Sequence, residues 1–166
     1  MREPLKDRTR LEHILDATET IQNRANDLTY DLLITDKVLF GGLVYYTLII
    51  GEAAYNLTKA FKQKHTETEW SKIEKMRHNL VHGYYNVDPE ILWSVIQNDI
   101  PVLRQQVTNY LADTDWEEWE KSAVVIKETT VHKSLIQTAT RMKNRGYDID
   151  EICKITGLNR DEINRL

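Results

Sequence analysis

One cysteine, three prolines and six glycines are spread over 166 residues, and each scarcity removes a class of structure. The lone thiol, Cys153, forms no internal disulfide, so a disulfide-stapled secreted scaffold is excluded and a reducing cytoplasm is the expected compartment. Few turn formers argue against many short strands and favour long helices. Neither charge dominates: 22 Lys and Arg against 26 Asp and Glu leave −4. A protein that coats nucleic acid non-specifically draws its affinity from phosphate neutralisation and is not expected at that balance. Long hydrophobic runs are also missing. The longest, 38–50, is shorter than the ~20 residues that cross a bilayer, and Met1-Arg2-Glu3-Pro4 opens no apolar leader, so no membrane association is expected.

What is present is helical periodicity, with apolar residues recurring at three and four. A first helix is predicted over 6–26, with Leu11, Ile14, Leu15, Thr18 and Ile21 on one stripe. A second, over 35–61, is apolar nearly all round and so requires burial on more than one side, a second subunit included. Within it Gly41-Gly42 lowers helix propensity and marks a possible kink, while Gly51, Ala53 and Ala54 let a neighbouring helix approach closely beside Glu52. Thr66-Glu67-Thr68-Glu69 matches a capping box and predicts a third helix from about Glu67, with Trp70, Ile73, Met76, Leu80 and Val81 inward and Gly83 as its stop. Asp88-Pro89-Glu90 opens a fourth with Ile91, Leu92, Val95 and Ile96 inward, which Pro101 kinks before it ends near Leu111.

Chemistry concentrates at Met76-Arg77-His78-Asn79-Leu80-Val81-His82-Gly83-Tyr84-Tyr85. Ten Arg and five His give roughly 0.3 chance R-x4-H pairs in a chain of this length, and requiring Tyr two residues later lowers that to about 0.015. Cleavage of RNA by its own 2′-hydroxyl needs a base, an acid for the leaving 5′-oxygen, and positive charge on the pentacovalent phosphorus; His82 and Arg77 supply these types. On an ideal helix residues five apart diverge by about 140°, so they meet on one target only if the helix ends at His82 or a second subunit completes the site. Other roles stay open on the residues alone. Arg77 could ion-pair with Glu74, His82 could cap the helix C-terminus, and Tyr84 and Tyr85 could be packed aromatics. His78 and His82, four apart, suit two metal ligands on one face, but no third ligand is arranged with them, so no metal and no cofactor is assigned.

Arg77-His78-Asn79-Leu80-Val81-His82-Gly83-Tyr84 resembles the R-x4-H-x-Y signature of the HepT-like toxins, a branch of the HEPN superfamily. Ile49-Ile50-Gly51-Glu52-Ala53-Ala54, Trp70-Ser71-Lys72-Ile73, and Asn86-Val87-Asp88 followed by Leu92-Trp93 resemble further family landmarks in family order, over about residues 5–112. The resemblance implies an all-α, up-and-down four- to five-helix bundle, a homodimer, and metal-independent endoribonuclease activity on RNA, tRNA included. It implies that Arg77 binds the scissile phosphate, that His82 does acid and base work, and that His78 is a candidate for substrate contact. It also implies a type VII-like toxin–antitoxin pair, in which a minimal nucleotidyltransferase antitoxin transfers AMP from ATP to Tyr84. The alternative is a noncatalytic helical module that scaffolds the nucleotidyltransferase.

The expected organisation is a bundle over 1–112, an acidic connector over 113–132, and a small helical extension over 133–166. The connector holds six acids against two Lys and is expected to be helical only over 115–121. The extension reads as a helix over 134–144 ended by Gly146, then two capping signals, Asp148-Ile149-Asp150-Glu151 and Asn159-Arg160-Asp161-Glu162, flanking Thr156-Gly157-Leu158. This helix-turn-helix pattern resembles C-terminal extensions of certain transposon-associated nucleases. Seven basic residues against five acids there give poor support for tight DNA binding, and a docking or dimer-stabilising role competes with it.

Overall fold

The computed structural model describes residues 6–166, apart from the side chains of Tyr84 and of residues 123–127. It is all-α, with no strand among the described residues, and divides into two compact units at Trp116/Glu117. The first unit is built on α1 (Asp7–Ala25), α3 (Lys37–Asn56), α5 (Trp70–His82) and α7 (Ile100–Asp113). α3 is central, packing on α1 and α5, and α1 also packs on α7. α2 (Tyr30–Thr35), α4 (Lys59–Lys64) and α6 (Pro89–Ser94) are one- to two-turn connectors. Leu11, Ile14 and Ile21 of α1, Ile50 and Ala54 of α3, and Ile100 and Val107 of α7 are buried in the core.

The sequence expected one helix over 35–61; the structure has three pieces around it. Asp36 ends α2 and caps α3, accepting from Val38 and Leu39 N–H at 3.0 and 2.9 Å. At the other end, Thr58 Oγ1 caps α4 through Phe61 N–H. The fully buried Asp7 fixes that break, accepting from Thr58 N–H at 2.9 Å and Thr58 Oγ1 at 2.6 Å. No local pattern announces a bond across 51 positions. α3 runs unbroken through Gly41-Gly42. Its length and hydropathy would also suit a membrane span, but here α1 and α5 flank it.

The capping box at Thr66 does not form. Glu69 occupies the cap position of α5 without a side-chain bond, and α5 starts at Trp70. Thr68 instead bonds Gln106 Oε1 at 2.9 Å and Tyr110 OH at 2.6 Å, tying the start of α5 to α7. Val81 and Ile91, expected inward, are exposed. Asp88 caps α6 as expected, accepting from Glu90 N–H. The perturbation expected at Pro101 is a π-helical stretch, Val95–Asp99, just before it. A proline lacks the N–H and clashes with the carbonyl four residues back, which one wider turn relieves.

Beyond Thr114, α8 (Trp116–Asn144) is continuous through the segment expected to be only partly helical. No Gly or Pro lies between Pro101 and Gly146, and β-branched residues cost a helix only about 0.5 kcal/mol each. In the second unit, Ala139 of α8, Ile152 of α9 (Ile149–Thr156), Leu158, and Ile163 of α10 (Arg160–Asn164) form a small buried core. Gly146 and Gly157 stand at φ 81° and 71°, the left-handed conformation that ends α8 and α9. Asn159 and Glu162 make the expected capping box.

Candidate active site

α5 ends at His82. Gly83 closes it by donating its N–H to the Asn79 carbonyl at 2.7 Å, with φ −125° rather than a left-handed turn. A Cβ here would stand 2.9 Å from that same oxygen, which is the local reason for glycine. Both Arg77 and His82 are therefore helical, about 140° apart around the axis and about 7.5 Å along it. Within the chain the two side chains diverge.

Arg77 faces α3. Gly51 lies directly beneath it: a Cβ on Gly51 would sit 2.4 Å from Arg77 Cβ and 3.2 Å from its Cα. The close approach allowed by Gly51 is thus made by the arginine itself. Arg77 Nε donates to Glu52 Oε2 at 2.8 Å, and its Cζ stands 5.0 Å from the Tyr55 ring centroid. Asn56 Nδ2 in turn donates to Glu52 Oε1 and to the Glu52 carbonyl, each at 2.9 Å. The carboxylate is held from one side and holds the guanidinium from the other. Because Nε carries the bond to Glu52, the two terminal nitrogens remain for the paired oxygens of a phosphate. The partner expected from the sequence, Glu74, is ion-paired with Lys62 instead.

His78 and His82 form a second group. Both are exposed, their ring centroids are 4.5 Å apart, and neither ring makes a hydrogen bond among the described residues. Tyr84 opens a 3₁₀ turn over Tyr84–Asn86; its side chain lies outside the described residues. Tyr85 beside it is 89% exposed. A groove of about 740 Å³ runs between α5 and α6–α7, floored by Ile73, Leu80 and Leu92, and none of Arg77, His78 and His82 lines it. The His78–His82 pair sits on an open helix face, while Arg77 lies on another that α3 partly covers.

The structure thus places the sequence-predicted residues in two clusters, Arg77 with α3 and His78 with His82. Glu52, Tyr55 and Asn56 were not singled out for the site from sequence. The available signal was a carboxylate inside an otherwise apolar helix, one position after a glycine. α3 also carries a stripe of outward residues at three and four, Val38, Gly41, Tyr45, Leu48, Glu52 and Tyr55; Val38 is 87%, Tyr45 59% and Tyr55 41% exposed. The Arg77 cluster lies at one end of that stripe.

The chain is 39% identical over 101 residues to a protein of Caldanaerobacter subterraneus subsp. tengcongensis whose name proposes an RNase, covering 61% of this chain and 90% of that one. It is 34% identical over 94 residues to the "Probable ribonuclease HepT" of Thermococcus cleftensis, covering 57% and 86%. A Methanocaldococcus jannaschii protein, whose name also proposes an RNase, is 29% identical over 116 residues, 69% of this chain and 96% of that one. No solved structure matches significantly. The profile described as "Ribonuclease HepT-like" matches residues 14–110, more than half of the chain and all of the Arg77–Tyr84 motif. The chain belongs to the HepT-like ribonuclease family.

Proposed function

We propose that this protein is a metal-independent endoribonuclease, the toxin of a toxin–antitoxin pair, acting as a homodimer whose active sites combine Arg77 of one protomer with His82 of its partner. The observation that carries the reading is the match over residues 14–110, which includes Arg77, His82 and Tyr84 in the R-x4-H-x-Y order. The divergence of Arg77 and His82 within α5 supports a site completed by a second copy, and the apolar stripe of α3, ending at Arg77, supports the face on which that copy docks.

In the reaction, His82 takes the proton from a ribose 2′-hydroxyl as its oxygen attacks the adjacent phosphorus. Arg77 donates from its terminal nitrogens to the non-bridging oxygens, where negative charge grows. The bond from phosphorus to the 5′-oxygen breaks, that oxygen is protonated by the second His82 of the dimer, and the products are a 2′,3′-cyclic phosphate and a 5′-hydroxyl. His78, on the face of His82, contacts the RNA. Tyr84 is the off-switch: its hydroxyl attacks the α-phosphorus of ATP bound to a nucleotidyltransferase antitoxin, pyrophosphate leaves, and the tyrosyl-AMP sets a bulky anion two residues from His82.

Purified wild-type protein should cleave RNA in the presence of a chelator, and His82→Ala and Arg77→Ala should not. Equal cleavage by wild type and His82→Ala would instead favour a noncatalytic module that scaffolds the nucleotidyltransferase. Incubation with that partner and ATP should add the mass of AMP to wild type and nothing to Tyr84→Phe.

A further inference from the structure

The pairing of His78 with His82 offers a capacity beyond the proton transfer and RNA contact that cleavage asks of them. One helical turn apart, they lie on one face of the last two turns of α5, with ring centroids 4.5 Å apart and planes 54° apart. Both rings are exposed, and neither is tied up in a hydrogen bond among the described residues. A pair of imidazoles on a rigid helix, close, free and wet, has the arrangement of a chelate.

The spacing can be tested against coordination geometry. With metal–nitrogen bonds of about 2.0–2.1 Å and about 1.1 Å from nitrogen to ring centre, two imidazoles meeting one ion at about 90–110° bring their centres about 4.5–5.2 Å apart. The observed 4.5 Å falls at the near edge of that window, so the rings need only turn, not travel, to share an ion. Imidazole nitrogen suits Zn²⁺, Ni²⁺ and Cu²⁺ and poorly suits the oxygen-seeking Mg²⁺ and Ca²⁺. Groups of three or more His, Cys, Asp or Glu poised for a metal are absent among the described residues, so water completes the shell. Such a site exchanges its ion readily, in contrast to closed four-ligand structural centres.

We propose that His78 and His82 form a two-histidine clamp for a Zn²⁺-class transition-metal ion, and that filling it switches cleavage off. The ion bonds to the nitrogen lone pair of His82 that would accept the 2′-hydroxyl proton, and it leaves no proton there to give to the 5′-oxygen. Occupancy therefore removes both the base and the acid. The effect on cleavage rests on the proposed RNase reading; the binding itself does not.

Isothermal titration of the full-length protein with ZnCl₂ alone separates the two. One ion bound per chain is expected, with binding lost in His78→Gln and in His82→Gln, both surface changes whose folding circular dichroism verifies. Cleavage by wild type should fall to background as Zn²⁺ saturates and return on adding EDTA, while the cleavage that His78→Gln retains, lowered by loss of its RNA contact, should show no further fall when Zn²⁺ is added. No binding by wild type, binding retained in both variants, or stimulation of cleavage by Zn²⁺ overturns the proposal. Zn²⁺ binding that vanishes in both variants, in a protein that cuts no RNA, upholds the clamp and rejects the RNase reading.

Discussion

Gly51→Ala is the sharpest test of how the fold positions Arg77. The added Cβ would lie 2.4 Å from Arg77 Cβ, 3.1 Å from its Cγ and 3.2 Å from its Cα. Ordinary carbon contacts begin near ~3.5 Å, so α5 must withdraw from α3 by about 1 Å, carrying the guanidinium with it. Two terms oppose each other in stability. Overpacking costs about 1–3 kcal/mol, and replacing a mid-helix Gly by Ala returns about 1 kcal/mol. The net loss is therefore about 0–2 kcal/mol, a fall of at most about 8 °C in Tm for a chain of this size. Function has no such offset. A displacement of about 1 Å in a group that positions a reacting phosphate costs on the order of 100-fold in rate. Gly42→Ala is the matched control, because a Cβ there meets nothing within 4 Å and the helix propensity gain of about 1 kcal/mol is uncompensated. Thermal melts and RNA cleavage should show Gly42→Ala stabilised, and Gly51→Ala folded but about 100-fold slower. If Gly51→Ala gains as much stability as Gly42→Ala and cleaves at the wild-type rate, the close contact of α3 with Arg77 is not what sets the site.

Three further outcomes are expected. Glu52→Ala should leave Tm nearly unchanged, since the Arg77 pair is partly exposed, yet lower RNA cleavage about tenfold by freeing the guanidinium to wander; Asn56→Ala should do the same more weakly. Asp7→Ala leaves the N–H and hydroxyl of Thr58 without their buried acceptor and should cost about 2–3 kcal/mol in urea denaturation. His65, sandwiched between Phe61 and Tyr110 with its Nε2 buried and unbonded, has its pKa lowered first by burial. The folded state then takes up its proton less readily than the unfolded chain, so stability is full above the ordinary His value of 6.5 and is lost as pH falls below it. His65→Phe should flatten the stability change between about pH 7 and pH 5; an unchanged slope would remove His65 as its source.

Much of the first unit was legible because its signals are local. α1 shows its stripe, Asp88-Pro89 announces α6, and Gly83 marks the end of α5 within a residue of where the structure ends it. What escaped was decided by distant partners. The capping box at Thr66 gives way to a later start of α5, where Thr68 is tied to Gln106 and Tyr110 across the bundle. Asp7 reaches 51 residues to set the start of α4. Arg77 takes Glu52 on α3 rather than Glu74 on its own helix, since Glu74 lies beside Lys62. The candidate groups and the separation of Arg77 from His82 around α5 could be read from the sequence, but the seating of Arg77 on Gly51 and Glu52 of α3 follows from tertiary packing.

That separation makes complementation between two dead variants the most direct test of the central claim. Arg77→Ala and His82→Ala chains, co-expressed with different tags and purified as the mixed dimer, retain one site with both an intact Arg77 and an intact partner His82. If the two residues act across the dimer, the mixed dimer should regain RNA cleavage that neither variant has alone, at below half of the wild-type rate because its one remaining His82 serves as base and the 5′-oxygen must take its proton from water. A mixed dimer as inactive as its parents, or a parent that still cleaves, would contradict an RNase site shared between protomers.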